Sequence, residues 1–204
     1  DSSDQTIFDL NASTGILSFT APPNFESNTS SYDVEIRVSD GQANSNILLP
    51  VFVTNLNESP TNLSSSSYLG ILENQPVGTV VGQLTATDPD VAASMTYHLV
   101  SGAGDGNNSL FTLETNGTLK TATSFNYESN ASAYSIRVQV KDEHNTSMEG
   151  NFTVLLTNLN EGPVDLNATA SLSIAENLAI GSTVGEFNST DPDANASLSY
   201  FLVA

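Results

Sequence analysis

The 204-residue chain has no cysteine, no tryptophan and only four Lys or Arg residues. The absence of cysteine excludes a disulfide framework, a thiolate zinc site and a cysteine nucleophile. Because 23 acidic residues oppose the four basic ones, the formal net charge is -19. This charge repels phosphate backbones and anionic lipid headgroups, which argues against nucleic acid or a membrane surface as a partner. It attracts cations, so a divalent metal is the partner that the charge favours.

Long hydrophobic runs are also missing. No segment reaches the roughly 18 apolar residues that a membrane-spanning helix needs, and the start at Asp1 lacks the basic and then apolar pattern of a signal peptide. We therefore expect any export signal or anchor to lie outside this sequence, and the segment itself not to insert into a membrane. With 38% hydrophobic and 13% charged residues, the chain can nevertheless bury a core.

The sequence repeats itself at an interval of 103 residues, because TNLNESP begins at Thr54 and returns as TNLNEGP at Thr157. Three further pairs of strings keep this interval: ENQPVGT at Glu73 and ENLAIGS at Glu176, TDPD at Thr87 and at Thr190, TYHLV at Thr96 and SYFLV at Ser199. A fixed interval of this kind is typical of a tandem array. We predict the C-terminal part of one repeat at residues 1–57, a complete repeat at 58–160 and the N-terminal part of a third repeat at 161–204.

Alternation of apolar and polar residues is the strongest local pattern. Tyr134, Ile136, Val138 and Val140 alternate with polar residues, as expected of a β-strand with one buried face. Gly- and Asn-rich strings separate such runs, among them SGAGDG at 101–106, which we interpret as a hairpin loop. Several short strands in a unit of about a hundred residues predict an all-β fold of tandem Greek-key, immunoglobulin-like β-sandwiches, one complete and two partial.

Oxygen-bearing side chains gather where one predicted repeat joins the next. The TNLNE string follows the last strand of a repeat, and its Asn and Glu side chains are hard donors of the kind that Ca²⁺ binds. In the first TDPD string, an extended backbone points Asp88 and Asp90 to one side, where they repel each other unless a cation lies between them. The alternative for this pair is a solvated Asp-Pro-Asp turn. We interpret Asn55 and Asn158 as turn formers rather than ligands.

The strings ENQPVGTVVGQLTATDPD, TYHLVSG, FTLETNGTL, FNYES, YSIRVQVKD and TNLNEGP, taken in order, resemble the cadherin repeat, particularly the versions in large bacterial surface proteins. The resemblance covers essentially the whole chain. It implies sandwiches placed end to end, with calcium at each junction held by both neighbours. For the first junction it implies the ligands Asn24, Glu26, Asn57, Glu58, Asp88, Asp90 and Asp142, and for the second Glu73, Asn126, Glu128, Asn160, Glu161, Asp191 and Asp193.

Two substitutions depart from the family's pattern. The usual acidic residue of one motif is Asn at Asn24 and Asn126, and the usual linker aspartate is the longer Glu at Glu58 and Glu161. Fewer charges predict weaker calcium binding. The best-supported ion of the first junction is, by the same resemblance, the one nearest the following repeat, for which the ligands Asn57, Asp88, Asp90 and Asp142 all match.

We therefore expect a calcium-rigidified extracellular segment of a cell-surface adhesin, without enzymatic activity. Its expected partners are Ca²⁺, the adjacent repeats of the same chain, and another adhesin or a surface glycan. The alternative is a passive spacer in a secreted multidomain enzyme that acts on polysaccharide. A catalytic carboxylate pair within this chain is disfavoured, because both acidic pairs lie at joints and neither His98 nor His144 has a counterpart in another repeat.

Overall fold

The computed structural model describes residues 6–27, 30–65 and 68–204. In these residues the regular structure is β-strand and short 3-10 turns, with no α-helix, as the all-β prediction requires. The strands are β1 Phe8–Leu10, β2 Leu17–Phe19, β3 Ser31–Ser39, β4 Asn44–Phe52, β5 Thr61–Ser65, β6 Gly70–Leu72, β7 Val80–Thr87, β8 Thr96–Leu99, β9 Phe111–Leu113, β10 Thr118–Thr121, β11 Ala133–Lys141, β12 Ser147–Thr157, β13 Val164–Ala168 and β14 Phe187–Thr190.

Two four-stranded sheets form the middle of the chain. One has the order β5-β7-β10-β9 and the other the order β6-β12-β11-β8. The chain changes sheets at most of its connections, which is the arrangement of a Greek-key sandwich. The loop at 101–106 joins β8 of one sheet to β9 of the other, so its interpretation as a hairpin loop is wrong. Glycine-rich strings mark a change of direction, but they do not reveal which strand the chain joins next.

The predicted alternation of β11 is confirmed. Tyr134, Ile136, Val138 and Val140 are buried, and the residues between them are half-buried. A buried side chain of this size stabilises the fold by about 1.5–3 kcal/mol relative to the same side chain in water. The other fully buried hydrophobic side chains of the middle strands are Leu84, Leu119 and Val154.

Three further strand pairs form two-stranded sheets: β1 with β2, β3 with β4, and β13 with β14. In β3 the residues Tyr32 and Val34 are buried, but Val38 is 67% exposed, whereas Val140, its aligned counterpart in β11, is 0% exposed. The period of two is therefore present in both strands. Burial follows only where a second sheet covers the apolar face.

The chain divides into two compact units. The first consists of the described residues up to Asn62 together with Ala86–Met95 and Val140–Met148, and the second consists of Leu63–Thr85, Thr96–Gln139 and Glu149–Ala204. The ligands predicted for the first junction all belong to the first unit, and those predicted for the second junction all belong to the second. The repeat boundaries at 57 and 160 stay a prediction.

Each unit holds a cluster of three aromatic rings. The ring centroids are 4.7–6.3 Å apart in the first cluster and 4.9–6.0 Å apart in the second. Tilted and edge-on rings at such distances add to the stabilisation that burial provides. The clusters are Phe8, Phe19 and Tyr32 in the first unit and Phe111, Phe125 and Tyr134 in the second.

Candidate metal centres

Three carboxylates from separate segments meet in the first unit. One oxygen each of Glu26, Glu58 and Asp90 lies within 4.8 Å of the other two. Glu26 is presented by a turn in which the backbone N–H of Ser27 donates to Asn24 Oδ1 at 2.8 Å. Glu58 lies in the segment that leads from β4 to β5. We call these three carboxylates the first cluster.

Asp90 reaches the first cluster through a bend rather than an extended strand. The backbone N–H of Asp90 donates to Asp88 Oδ1 at 2.9 Å, and residues 89–90 form a bend after β7. The expectation that an extended backbone aligns the two carboxylates is therefore wrong, because the intervening Pro89 and the side chain of Asp88 favour a turn. The Asp90 carboxylate accepts from the N–H of Glu58 at 3.0 Å and from Asn55 Nδ2 at 2.6 Å.

Several oxygens at this position are buried without any hydrogen bond. They are both carboxylate oxygens of Glu26, Oε2 of Glu58 and Oδ2 of Asp88. A buried carboxylate oxygen without a partner is costly, and neighbouring negative charges add to that cost. Burial, and then the charges of Glu26, Asp90 and Asp88, raise the pKa of Glu58 above its ordinary value. Among the described residues, Asp90 therefore has hydrogen-bond donors, whereas the buried oxygens of Glu26 and Oε2 of Glu58 have none.

The second unit contains a corresponding group, Glu73, Glu128 and Glu161, whose carboxylate oxygens also lie within 4.8 Å of one another. We call it the second cluster. Glu73 is fully buried, and it accepts from the backbone N–H of Leu159 at Oε1 (2.9 Å) and of Tyr127 at Oε2 (2.7 Å). Backbone donors thus satisfy both oxygens of this carboxylate without a cation.

The other two members of the second cluster are less well satisfied. Glu161 accepts from Asn74 Nδ2 at 2.6 Å through Oε1, but its Oε2 is buried without a partner. Burial raises the pKa of Glu128, and the charges of Glu73, Glu161 and Asp193 raise it further. The second cluster therefore also concentrates negative charge, although fewer of its buried oxygens lack a hydrogen bond.

The second TDPD string repeats the geometry of the first. Asp193 accepts from the N–H of Glu161 at 2.7 Å and from Asn158 Nδ2 at 2.7 Å, and its own N–H donates to Asp191 Oδ1 at 3.0 Å. The bond from the Glu161 backbone, followed by the bond from Asn158, lowers the pKa of Asp193. The 103-residue repeat in the sequence thus corresponds to a repeated hydrogen-bonding arrangement.

Asp142 and Asn57 lie together in the first unit, in a network of their own. Asn57 Nδ2 donates to Asp142 Oδ2 at 2.8 Å, and the N–H groups of His144 and Thr146 each donate to Asp142 Oδ1 at 2.9 Å. The Thr146 hydroxyl also hydrogen-bonds to Asp142 and contacts the Glu58 carbonyl at 2.9 Å. Burial on its own raises the pKa of Asp142, but these hydrogen bonds outweigh burial and lower it. This carboxylate has hydrogen-bond donors, unlike the carboxylate of Glu26.

The remaining predicted ligands are asparagines engaged in local turns. Asn126 Oδ1 accepts from the N–H and the hydroxyl of Ser129, as Asn24 accepts from Ser27. Asn160 Nδ2 donates to the Glu161 carbonyl at 2.8 Å, which matches the bond from Asn57 to the Glu58 carbonyl at 3.0 Å. In this geometry Asn24 and Asn126 shape the turns that present Glu26 and Glu128.

Three polar residues that hydrogen-bond to predicted aspartate ligands are not themselves among the predicted ligands. The sequence predicts turns at Asn55 and Asn158, and in the structure each of them donates to an aspartate. Their place in the repeated TNLNE string was the available signal. Thr146 carried no such signal, because its role depends on a turn that brings it beside Asp142.

The fold and the sites define a class, namely tandem β-sandwich proteins that carry clusters of acidic side chains. Within that class, a family model described as the cadherin domain matches residues 69–157. Residues 69–157 therefore form a domain of the cadherin family, as the resemblance to the cadherin repeat predicted.

Curated relatives are similar over nearly the whole chain. Chicken Cadherin-1 is 30% identical over 201 residues, which cover 92% of this chain and 22% of that protein. Mouse Protocadherin Fat 2 is 29% identical over 209 residues, which cover 100% of this chain and 5% of that protein. The chain thus spans less than a quarter of the length of these relatives.

A solved structure supports the fold. The EC1-3 fragment of mouse protocadherin-24 superposes with a TM-score of 0.67 at 23% identity, over 95% of this chain and 65% of that one. The prediction of tandem immunoglobulin-like β-sandwiches is confirmed. Within the described residues, no helix has the length and apolar character needed to cross a membrane.

Proposed function

We propose that this chain binds Ca²⁺ at its first and second clusters and thereby stiffens a row of cadherin repeats on the outside of a cell. The observation that carries the proposal is the set of buried carboxylate oxygens without hydrogen bonds in the first cluster. Such oxygens are stable next to a cation and costly without one.

The donor chemistry fits calcium better than the other common metals. The clusters offer carboxylate oxygens, and the chain has no cysteine. Ca²⁺ prefers a set of about six to eight oxygen ligands and tolerates irregular geometry. Zn²⁺ prefers nitrogen and sulfur ligands, and neither cluster contains a histidine or a cysteine.

In the first unit, the ion would be held by Glu26, Glu58 and Asp90, with Asp88 as a further oxygen ligand. In the second unit the corresponding residues are Glu73, Glu128 and Glu161, with Asp191 and Asp193 as further donors. The bound ion would supply positive charge that offsets carboxylate repulsion. Asn57 and Asp142 support a further ion of the first unit, although hydrogen bonds already occupy this carboxylate.

Stiffening follows from where the ligands lie along the chain. Glu26, Glu58 and Asp90 come from three segments that are far apart in sequence. An ion that binds all three restricts the segment between β4 and β5 in the folded state. Ligand-free carboxylates repel one another, so the same segment gains freedom when calcium leaves.

The whole protein's role extends this proposal. We infer a cell-surface adhesin in which these repeats project a more distant binding surface, with another adhesin or a surface glycan as its target. Within the array, each repeat's immediate partners are Ca²⁺ and its neighbours in the same chain.

The test compares the purified 204-residue chain in millimolar Ca²⁺, in millimolar Mg²⁺ and in chelator. We expect calcium to raise the melting temperature. We also expect it to narrow the range of molecular dimensions that fits the small-angle scattering. Ligand at 100 times its Kd stabilises a folded protein by about 2.7 kcal/mol. Identical melting and scattering in Ca²⁺ and chelator would overturn the proposal and leave a passive spacer.

A matched control separates specific binding from general screening of charge. The double variant Glu58→Gln with Glu161→Gln removes one carboxylate from each cluster and should lose most of the response to calcium. The control, Glu35→Gln with Glu186→Gln, removes the same number of charges at exposed positions outside the clusters. We expect the control to respond like the natural chain.

A further inference from the structure

Two asparagines outside the predicted ligand set, Asn55 and Asn158, occupy the same position relative to the two TDPD strings. We propose that they are positioning residues, which orient the carboxylates of Asp90 and Asp193 toward the calcium clusters. The inference rests on the proposed function, because it assigns these amides a role in the affinity of the same sites.

Each aspartate is held at both of its oxygens. Asn55 Nδ2 donates to Asp90 Oδ1 at 2.6 Å, while the N–H of Glu58 donates to Asp90 Oδ2 at 3.0 Å. In the second unit, Asn158 Nδ2 donates to Asp193 Oδ1 at 2.7 Å, while the N–H of Glu161 donates to Oδ2 at 2.7 Å. The two donors always come from one segment and lie three residues apart. The same pair of bonds occurs in both units, so it does not depend on the particular packing of either one.

Two hydrogen bonds fix a carboxylate far better than one. A single donor leaves the side chain free to change its rotation about the Cα–Cβ and Cβ–Cγ bonds, whereas donors on both oxygens restrict both rotations. A carboxylate has about four lone-pair positions, so each oxygen keeps one for a cation after accepting a bond. Ligands that are oriented in advance lose less conformational freedom on binding, and this raises affinity.

The amide nitrogen has to face the aspartate. Two oxygens 2.6 Å apart would repel, whereas an N–H donor at this distance makes a short, charge-assisted hydrogen bond. The change Asn55→Asp should therefore lower calcium affinity if Asn55 is a positioning residue and raise it if Asn55 is a ligand. A positioning amide loses its donor in that variant, whereas a ligating amide gains charge that attracts calcium.

The experiment measures calcium affinity by isothermal titration calorimetry in chains where one cluster is disabled. Asn55→Ala and Asn55→Asp are tested with Glu161→Gln in the background, and Asn158→Ala and Asn158→Asp with Glu58→Gln. Loss of a residue that orients a metal ligand costs about 10–100-fold in affinity. We expect a loss of about tenfold for each alanine variant, and at least as large a loss for each aspartate variant.

The control is Asn46→Ala. This variant removes an exposed hydrogen bond of 3.0 Å from Asn46 Nδ2 to Glu35 Oε1, and Asn46 lies in the same unit as Asn55 but outside the clusters. Its affinity should equal that of the background chain. Tighter binding by Asn55→Asp would overturn the inference, because the residue would then act as a ligand. Equal affinity of Asn55→Ala and the background chain would overturn it too.

A second readout needs no calcium. In the calcium-free chain, three-bond couplings to the β-protons of Asp90 and Asp193 report whether each side chain keeps one rotamer. We expect one rotamer in the natural chain and averaged couplings at Asp90 in Asn55→Ala. Unchanged couplings in this variant would refute the positioning role. The natural chain could keep one Asp90 rotamer, lose it in Asn55→Ala, and yet bind no calcium. In that case the proposed function fails, while the positioning of the aspartates stands.

Discussion

The two carboxylate clusters have similar composition but differ in how far the protein satisfies them. In the first, three buried oxygens of Glu26 and Glu58 have no hydrogen bond, and neither has Oδ2 of the neighbouring Asp88, whereas in the second this is true of only one described oxygen, Oε2 of Glu161. The second cluster contains Glu73, whose oxygens accept from two backbone N–H groups, and Asn74, which donates to Glu161. At the 103-residue interval, the positions that correspond to Glu73 and Asn74 precede Asp1, and the amide that donates to the first cluster is Asn55, which bonds to Asp90.

This difference separates two ways of holding like charges together. Fixed backbone donors stabilise Glu73 whether or not an ion is bound, so part of the second cluster is organised by folding itself. Under the proposed function, a bound cation offsets the charge of the first cluster. Under the proposed function, both clusters bind calcium, but calcium removal disturbs the first one more.

The largest expected effect comes from removing one charge at equivalent positions, with Glu58→Gln and Glu161→Gln. Because affinity follows the number of charged ligands, each variant should weaken calcium binding at its own cluster by about 100-fold. In chelator the two variants should differ. Glu58→Gln should raise the melting temperature at neutral pH, since it removes a charge that burial and three carboxylates disfavour.

Glu161→Gln should raise the melting temperature less, because Asn74 already stabilises one oxygen of Glu161. Calorimetry gives the affinities, and circular dichroism melts in chelator give the stabilities. Equal stabilisation by the two variants would mean that unpaired oxygens do not distinguish the clusters. A fall in melting temperature for Glu58→Gln would contradict the role assigned to charge repulsion.

A second prediction concerns Glu73, the buried carboxylate of the second cluster. Glu73→Gln replaces one of two acceptor oxygens by an NH₂ group, which then faces the N–H of Tyr127 or of Leu159. One buried backbone donor loses its partner, at a cost of about 1–3 kcal/mol. The loss should appear in calcium-free protein, because the partners of Glu73 belong to the chain itself.

The matched control for this variant is Glu176→Gln, at the position one repeat later, where the side chain is exposed. It should change stability by less than about 0.5 kcal/mol. Urea unfolding followed by tyrosine fluorescence measures both variants, since the chain has six tyrosines and no tryptophan. Similar losses for Glu73→Gln and Glu176→Gln would show that the backbone bonds to Glu73 contribute little.

Sequence patterns predicted the parts of this molecule that depend on local or repeated chemistry. The alternation in β11 predicted its buried face. The family resemblance placed Glu26, Glu58 and Asp90 in one ligand set, and these carboxylates lie within 4.8 Å of one another, while their binding of a metal stays a prediction. The family resemblance predicted the sandwich. These features follow from side-chain periodicity and from a motif that occurs more than once.

Other features depend on tertiary surroundings that the sequence does not display. Val38 and Val140 occupy aligned positions in similar strings, yet only Val140 is covered. The bend at Asp90 replaces the expected extended geometry, because the Asp88 side chain accepts from the backbone. Whether Asn55 forms a turn or donates to Asp90 depends on a residue 35 positions away. Periodicity carries no information about such partners.

The smallest expected effect is a pH dependence with opposite contributions from the raised and lowered pKa values. Glu58 and Glu128 have folded pKa values above the ordinary 4.5, so the stability each contributes is present below that pH and is lost as pH rises through the folded value. Asp142 and Asp193 have folded pKa values below the ordinary 3.8, so their contributions are present above it and are lost as pH falls through the folded value.

Calcium-free protein should therefore melt at a higher temperature near about pH 5 than near pH 7, and lose stability again in stronger acid. Saturating calcium should remove the decline toward pH 7, because the ion stabilises the charged carboxylates. The double variant Glu58→Gln with Glu128→Gln should lack this decline even without calcium, while Glu35→Gln with Glu186→Gln should keep it. Melts by circular dichroism in calcium-depleted buffers from pH 3 to 8 measure the profile. A decline that persists in the first double variant would assign it to other groups and would remove the evidence that crowded carboxylates limit the calcium-free state.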